Sequence, residues 1–77
     1  MEKYNDYSID VWCDESYNAV AECLGSPKEG MAIMRKLKKE GKTSIRMYVR
    51  HDTKESDNWY YSFDGNKIIK ETNNLNA

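Results

Sequence analysis

The segment Ser26-Pro27-Lys28-Glu29 constrains this chain more than any other, because it marks the start of a helix in three independent ways. A serine hydroxyl at the N-cap accepts from an otherwise unpaired backbone N–H. Proline costs nothing at N1, and a glutamate at N3 can reach back to close a capping box. Gly30, Ile33, Met34, Leu37 and Gly41 follow at helical spacing and form one apolar stripe. Arg35, Lys36, Lys38, Lys39 and Lys42 crowd the C-terminal half, where the macrodipole favours cations. Gly41 suits the left-handed position just beyond the end. The spacing predicts one helix over about residues 27–40.

Past Gly41 the apolar period falls from helical to two. Ser44 to Arg50 sets Ile45, Met47 and Val49 on one side of a strand and Arg46, Tyr48 and Arg50 on the other. The polar run Asp52 to Asp57 reads as a loop. Asn58 to Phe63 is rich in strand-favouring aromatics, with Trp59, Tyr61 and Phe63 sharing a side. Asp64-Gly65 is a hairpin turn signal, and Lys67 to Lys70 suits a short edge strand. Upstream of the helix, Tyr7 to Cys13 alternates and directs Ile9, Val11 and Cys13 to the core. Residues 17–24 fit two states. As a strand they form a hairpin with the first, turning at Asp14-Glu15-Ser16; as a helix they take Ser16 as N-cap and Gly25 as terminator. The strand is the preferred state. The expected fold is α+β: a small antiparallel sheet with one helix packed on one face, in the order β-β-α-β-β, with Lys67 to Lys70 as a short fifth strand. Residues 1–72 make a single small domain and residues 73–77 a flexible tail.

Seventy-seven residues allow one domain. Such a chain is marginally stable alone unless a disulfide, a metal or a second copy helps. An apolar fraction of 39% with nine aromatics still argues for a folded core. Two cysteines are too few for a disulfide framework, and no N-glycosylation sequon occurs. The opening Met-Glu-Lys-Tyr-Asn-Asp lacks the apolar region of a signal peptide. The longest apolar stretch, Met31 to Met34, is far too short to span a membrane. The expectation is a cytoplasmic protein without a membrane partner.

Charge is unevenly spread. Residues 1–25 hold one lysine against six carboxylates, residues 26–50 hold eight Lys/Arg against Glu29 and Glu40, and the remainder returns to a slight acidic excess. The whole is near neutral, at −1. A basic centre can meet an acidic partner or neutralise its own acidic neighbours. Nucleic-acid binding is the alternative function, through Arg35, Lys38, Lys39, Lys42, Arg46 and Arg50. A sequence pI of 5.8 weighs against it, because a dedicated binder is usually basic overall. Were residues 17–24 helical, Ala21, Gly25, Met31 and Met34 would sit where a helix-turn-helix wants a small residue, a turn glycine and two packed apolar residues. The following strands would then resemble the wing of a winged helix. That resemblance covers about 25 residues, and Lys28 stands where it expects an apolar one.

Catalytic chemistry finds little support. His51 is the only histidine and stands in a polar loop beside Asp52. A Cys–His nucleophile pair needs Cys13 or Cys23 near it, yet both cysteines fall in apolar patterns that suit buried, inert thiols. A hairpin turning near 15–18 sets Cys13 against residues 19–20 and Cys23 against 9–10, so the two do not face each other. One histidine and two cysteines leave a zinc site short of ligands. Asp64-Gly65-Asn66 lacks the further oxygen ligands of a calcium loop. No catalytic residue, metal or cofactor is expected.

What remains is a surface. One helix covers one face of a sheet, leaving the other to solvent, a partner or a second copy. The residues expected on that other face include Trp12, Arg46, Tyr48, Arg50 and Tyr60, with Ser8, Asp10 and Ser62. Aromatics and arginine dominate binding hot spots. The bland reading pairs Asp10 and Glu22 with Arg46 and Arg50 across strands. The size, the single helix and the lack of catalytic groups are similar to many phage or prophage accessory proteins, which bind and block or redirect one host macromolecule. The sequence therefore points to a small binding or regulatory protein acting by protein–protein contact, with a homodimer as a further expectation.

Overall fold

The computed structural model describes residues 4–13 and 18–72. Strand β1 (Tyr7–Trp12) is followed by helix α1 (Pro27–Lys39) and then by β2 (Arg46–His51), β3 (Asn58–Asp64) and β4 (Lys67–Thr72). The strands form one antiparallel sheet in the order β1-β2-β3-β4. The class is the expected α+β, a sheet with one helix on one face. The order is β-α-β-β-β rather than β-β-α-β-β: the short edge strand expected at Lys67 to Lys70 forms as β4, the strand expected over 17–24 does not form among its described residues, and the described sheet has four strands rather than five.

The difference lies at 17–24. Among 18–24 there is neither helix nor strand, only an isolated bridge between Val11 and Ala21. That bridge has the register of the expected hairpin, and Val20 and Ala21 both donate to the Val11 carbonyl. Cys23 then adopts φ 56°, a left-handed conformation that no strand continues through. Leu24 makes one more bond, to the Ile9 carbonyl, before the chain turns into the helix. With no helix here, the helix-turn-helix resemblance has no first helix. The expected turn at 14–16, with Ser16 as a cap, and the tail at 73–77 lie outside the described residues.

The helix starts and stops where its signals stand, though not by the expected start chemistry. Pro27 occupies the first turn, but Ser26 makes no side-chain cap. The Glu29 carboxylate instead lies back against Gly25, where an added Cβ would be 2.8 Å from Oε2, so the capping box stays open. At the other end Gly41 takes φ 89°. Its N–H bonds Lys38 O at 3.0 Å while that of Lys42 bonds Leu37 O at 3.0 Å. Together these form a Schellman motif that satisfies the final carbonyls.

The helix packs on β1 and β2. Ile9, Val11, Met34, Met47 and Val49 are completely buried there, joined by Leu37, Ile45, Cys13 and Tyr61. Gly30 lets the two layers meet: a Cβ on it would lie 2.0 Å from Met47 Sδ. Trp59, Phe63 and Ile68, on the same side of β3 and β4, are only partly buried. No described helix is long and apolar enough to cross a membrane.

Candidate functional site

Pairing register decides which side chains share the open face. Because directly opposed residues point the same way, three rows cross the sheet. Ser8, Arg50 and Asn58 form one; Asp10, Tyr48, Tyr60 and Glu71 the next; Trp12, Arg46, Ser62 and Ile69 the third. All five residues expected at a partner site (Trp12, Arg46, Tyr48, Arg50 and Tyr60) are thus brought to one face, away from the helix. The rings of Tyr48 and Tyr60 lie 5.9 Å apart at 40°, giving the middle row an aromatic centre. Trp12, Arg46, Tyr48 and Tyr60 are half-buried by their neighbours.

Arg50 differs from the rest. Its guanidinium meets Asp10 Oδ2 at 2.6 Å in a diagonal cross-strand pair, with the arginine side chain 55% and the aspartate 14% exposed. One of the bland pairings therefore forms. Glu22 is exposed and takes part in no ion pair with a described cation. Nearby, Ser8 Oγ donates to Asp52 and Ser62 Oγ to Glu71. β4 adds Lys67, Ile69 and Glu71 to this face, residues the sequence reading left unassigned. The signal for them was present: a two-residue turn at Gly65-Asn66 forces Asp64 opposite Lys67, which sets the facing of the whole strand.

The six residues of the nucleic-acid alternative part company. Arg35, Lys38, Lys39, Lys42 and Arg46 line two adjoining hollows between the helix's C-terminal half and the β3–β4 hairpin, sharing Lys38 and Phe63. No carboxylate lines either hollow. Lys38 Nζ lies 4.8 Å from the centre of the Phe63 ring, and the Arg46 Nε is buried without a hydrogen-bond partner. Arg50 stands elsewhere, near the other end of β2, tied to Asp10.

A third cluster went unforeseen. On the helix side, at the end of the sheet where β1 begins, Tyr7 packs against Tyr4, His51 and Trp59 at 5.6, 5.0 and 5.7 Å. Lys70 Nζ lies 4.5 Å from the Trp59 ring. The Tyr7 hydroxyl donates to Asp57 at 2.6 Å, and this bond, with partial burial and the carboxylate's charge, holds the phenol pKa above its ordinary value. His51 is the last residue of β2 rather than a loop residue; its Nδ1 accepts from the backbone N–H of Thr53 and Lys54, organising the following turn.

The cysteines separate too. Cys13 is buried beyond the far end of the β1–β2 ladder, since Tyr7 opposes His51 and Trp12 opposes Arg46. Cys23 is exposed, not buried as its apolar neighbours suggested, because the left-handed backbone at that residue breaks the alternation. Both are free thiols. Comparison with protein-family models, curated proteins and solved structures finds no match to this chain.

Proposed function

We propose that this chain is a non-enzymatic binding protein that docks a partner protein on the open face of its sheet. The supporting observation is the register that gathers Trp12, Tyr48, Tyr60 and Arg46 on one side of the sheet, with no described element laid over them. Large, rigid rings beside arginine provide contact area at low entropic cost. The action is steric: a small domain laid on a larger macromolecule occludes the surface it covers, as suits an accessory protein of this size. The face carries Arg46, Arg50 and Lys67 against Asp10, Asp64 and Glu71. It therefore fits an apolar surface with charges of both signs better than a uniformly acidic one.

The test is a paired purification in which wild type and Tyr48→Ala/Tyr60→Ala serve as bait, followed by calorimetry with the purified partner. The double variant is expected to keep its circular dichroism spectrum and lose about a hundredfold or more in affinity, as for two central hot-spot rings. Unchanged affinity would remove the face from the site.

A second reading draws on the cationic hollows. Five cations with no lining carboxylate suit a phosphate backbone. A gel shift with single-stranded and duplex probes tests it: binding that weakens steeply with added salt, and with Lys38→Glu/Lys42→Glu, supports it. Absence of any shift at low salt ends it.

A further inference from the structure

The two outer edges of the sheet are treated differently. The edge of β1 is occupied: Val11 exchanges hydrogen bonds with Ala21 at 2.9 and 3.3 Å, and Leu24 bonds Ile9 at 3.2 Å. The edge of β4 has no pairing strand among the described residues. An unpaired edge is a template for another strand.

The hairpin tells which backbone groups are free. Asp64 and Lys67 close a two-residue turn in which Gly65 has φ 66°. A closing pair of this kind is hydrogen-bonded, and bonded pairs alternate along the ladder. Lys67, Ile69 and Glu71 thus turn their N–H and C=O towards β3, while Ile68, Lys70 and Thr72 turn theirs outward.

A second β4 running antiparallel must match outward residues to outward residues, which leaves a few two-fold registers. Centring on Lys70 sets that lysine against its own copy. Centring on Ile68 runs the pairing into the Gly65-Asn66 turn. Centring on Ile69 sets Ile69 against Ile69, and sets Lys67 of each chain against Glu71 of the other, twice. Opposite charges directly across an antiparallel pair attract and like charges repel, so charge selects this last register.

Two further observations clear the approach. The helix lies on β1 and β2, so no described helix or strand on that side is laid over β4. Lys70, the other cation of the strand, has Nζ over the Trp59 ring of its own chain, drawn back from the edge.

We propose that two copies of this chain pair edge to edge through β4 in the register centred on Ile69, giving one continuous eight-stranded antiparallel sheet. The symmetry is isologous, each copy offering the same strand. This leaves the aromatic centre of both open faces uncovered, so it neither requires nor competes with the docking site at Tyr48 and Tyr60.

The test exploits that symmetry. Sedimentation equilibrium is run on wild type, Lys67→Glu, Glu71→Lys and the double exchange Lys67→Glu/Glu71→Lys. Wild type is expected to dimerise. Each single variant sets like charges opposite one another at both ends of the strand, and its dimer should weaken by about tenfold or more. An equimolar mixture of the two single variants should dimerise again, because every pair then holds opposite charges. The double exchange should recover for the same reason, and it serves if one single variant fails to fold. A wild-type chain that stays monomeric at its solubility limit would overturn the proposal. So would single variants that dimerise as well as wild type, or a mixture and a double exchange that both stay monomeric.

Discussion

β1 and β2 lie beneath the helix and bury Ile9, Val11, Met47 and Val49 completely, whereas Trp59, Phe63 and Ile68 in β3 and β4 remain only partly covered. The edge of β1 is strapped by residues 20–24, while that of β4 carries no described partner. On the helix side the first half of the sheet meets Met34 and Leu37. In the second half Tyr61 alone joins the buried core, while the Nζ of Lys38 and of Lys70 lie over the rings of Phe63 and Trp59. Stability follows apolar area removed from water, so the β1–β2–α1 half holds the fold together. The β3–β4 hairpin widens the sheet and presents surface.

Truncation in the two halves should cost unequal amounts. Met47→Ala is expected to lose about 2–5 kcal/mol, a large part of the roughly 4–12 kcal/mol available to a domain of this length, and to lower the midpoint of urea titration sharply. Phe63→Ala should lose less than half as much, because its ring is already partly wet. Equal losses would break the comparison.

Gly30→Ala probes the contact between the layers. Alanine gains about 1 kcal/mol of helix propensity but must displace Met47, and overpacking a filled core costs about 1–3 kcal/mol. A net destabilisation with a lower thermal midpoint is expected. A gain in midpoint would show that Met47 yields easily.

Most of this architecture was legible in the sequence, and for identifiable reasons. The apolar period marks α1, β2 and β3, because each buries one side against the core. Gly41 and Gly65 mark turns that need a positive φ. Residues 18–24 were not legible. Their course is set by bonds to a strand nine or more residues away, and Cys23 turns left-handed with no local signal such as Gly or Asn. The open face was legible residue by residue from alternation. What alternation could not show is that Arg50 is held by Asp10 while Arg46 reaches the hollow beside Lys38 and Lys42. That distinction depends on neighbours on the adjacent strand or on another layer.

The smaller effects concern charge. Asp10→Asn removes the partner of a half-exposed arginine and should cost no more than about 1 kcal/mol, less in high salt. A larger loss would show that polar contacts on the open face, and not only apolar burial, hold the β1–β2 half. Tyr7 and Asp57 join β1 to the entrance of β3. The phenol's pKa is raised on folding, so its contribution to stability is whole below the ordinary tyrosine range and disappears as pH climbs through the raised value. Followed by the Cζ chemical shift, Tyr7 should ionise at lower pH in Asp57→Ala than in wild type. An unchanged titration would dismiss that link between the halves.

Amide hydrogen exchange on dilute protein tests the division of labour most directly. The amides of Asp10 and Tyr48, which bond between β1 and β2, are expected to exchange slowest, only through global unfolding, while those of Ile69 and Glu71, which bond β4 to β3, exchange orders of magnitude faster. Protection in β4 equal to that of β2 would contradict the claim that one half of the sheet carries the fold and the other is left for contact.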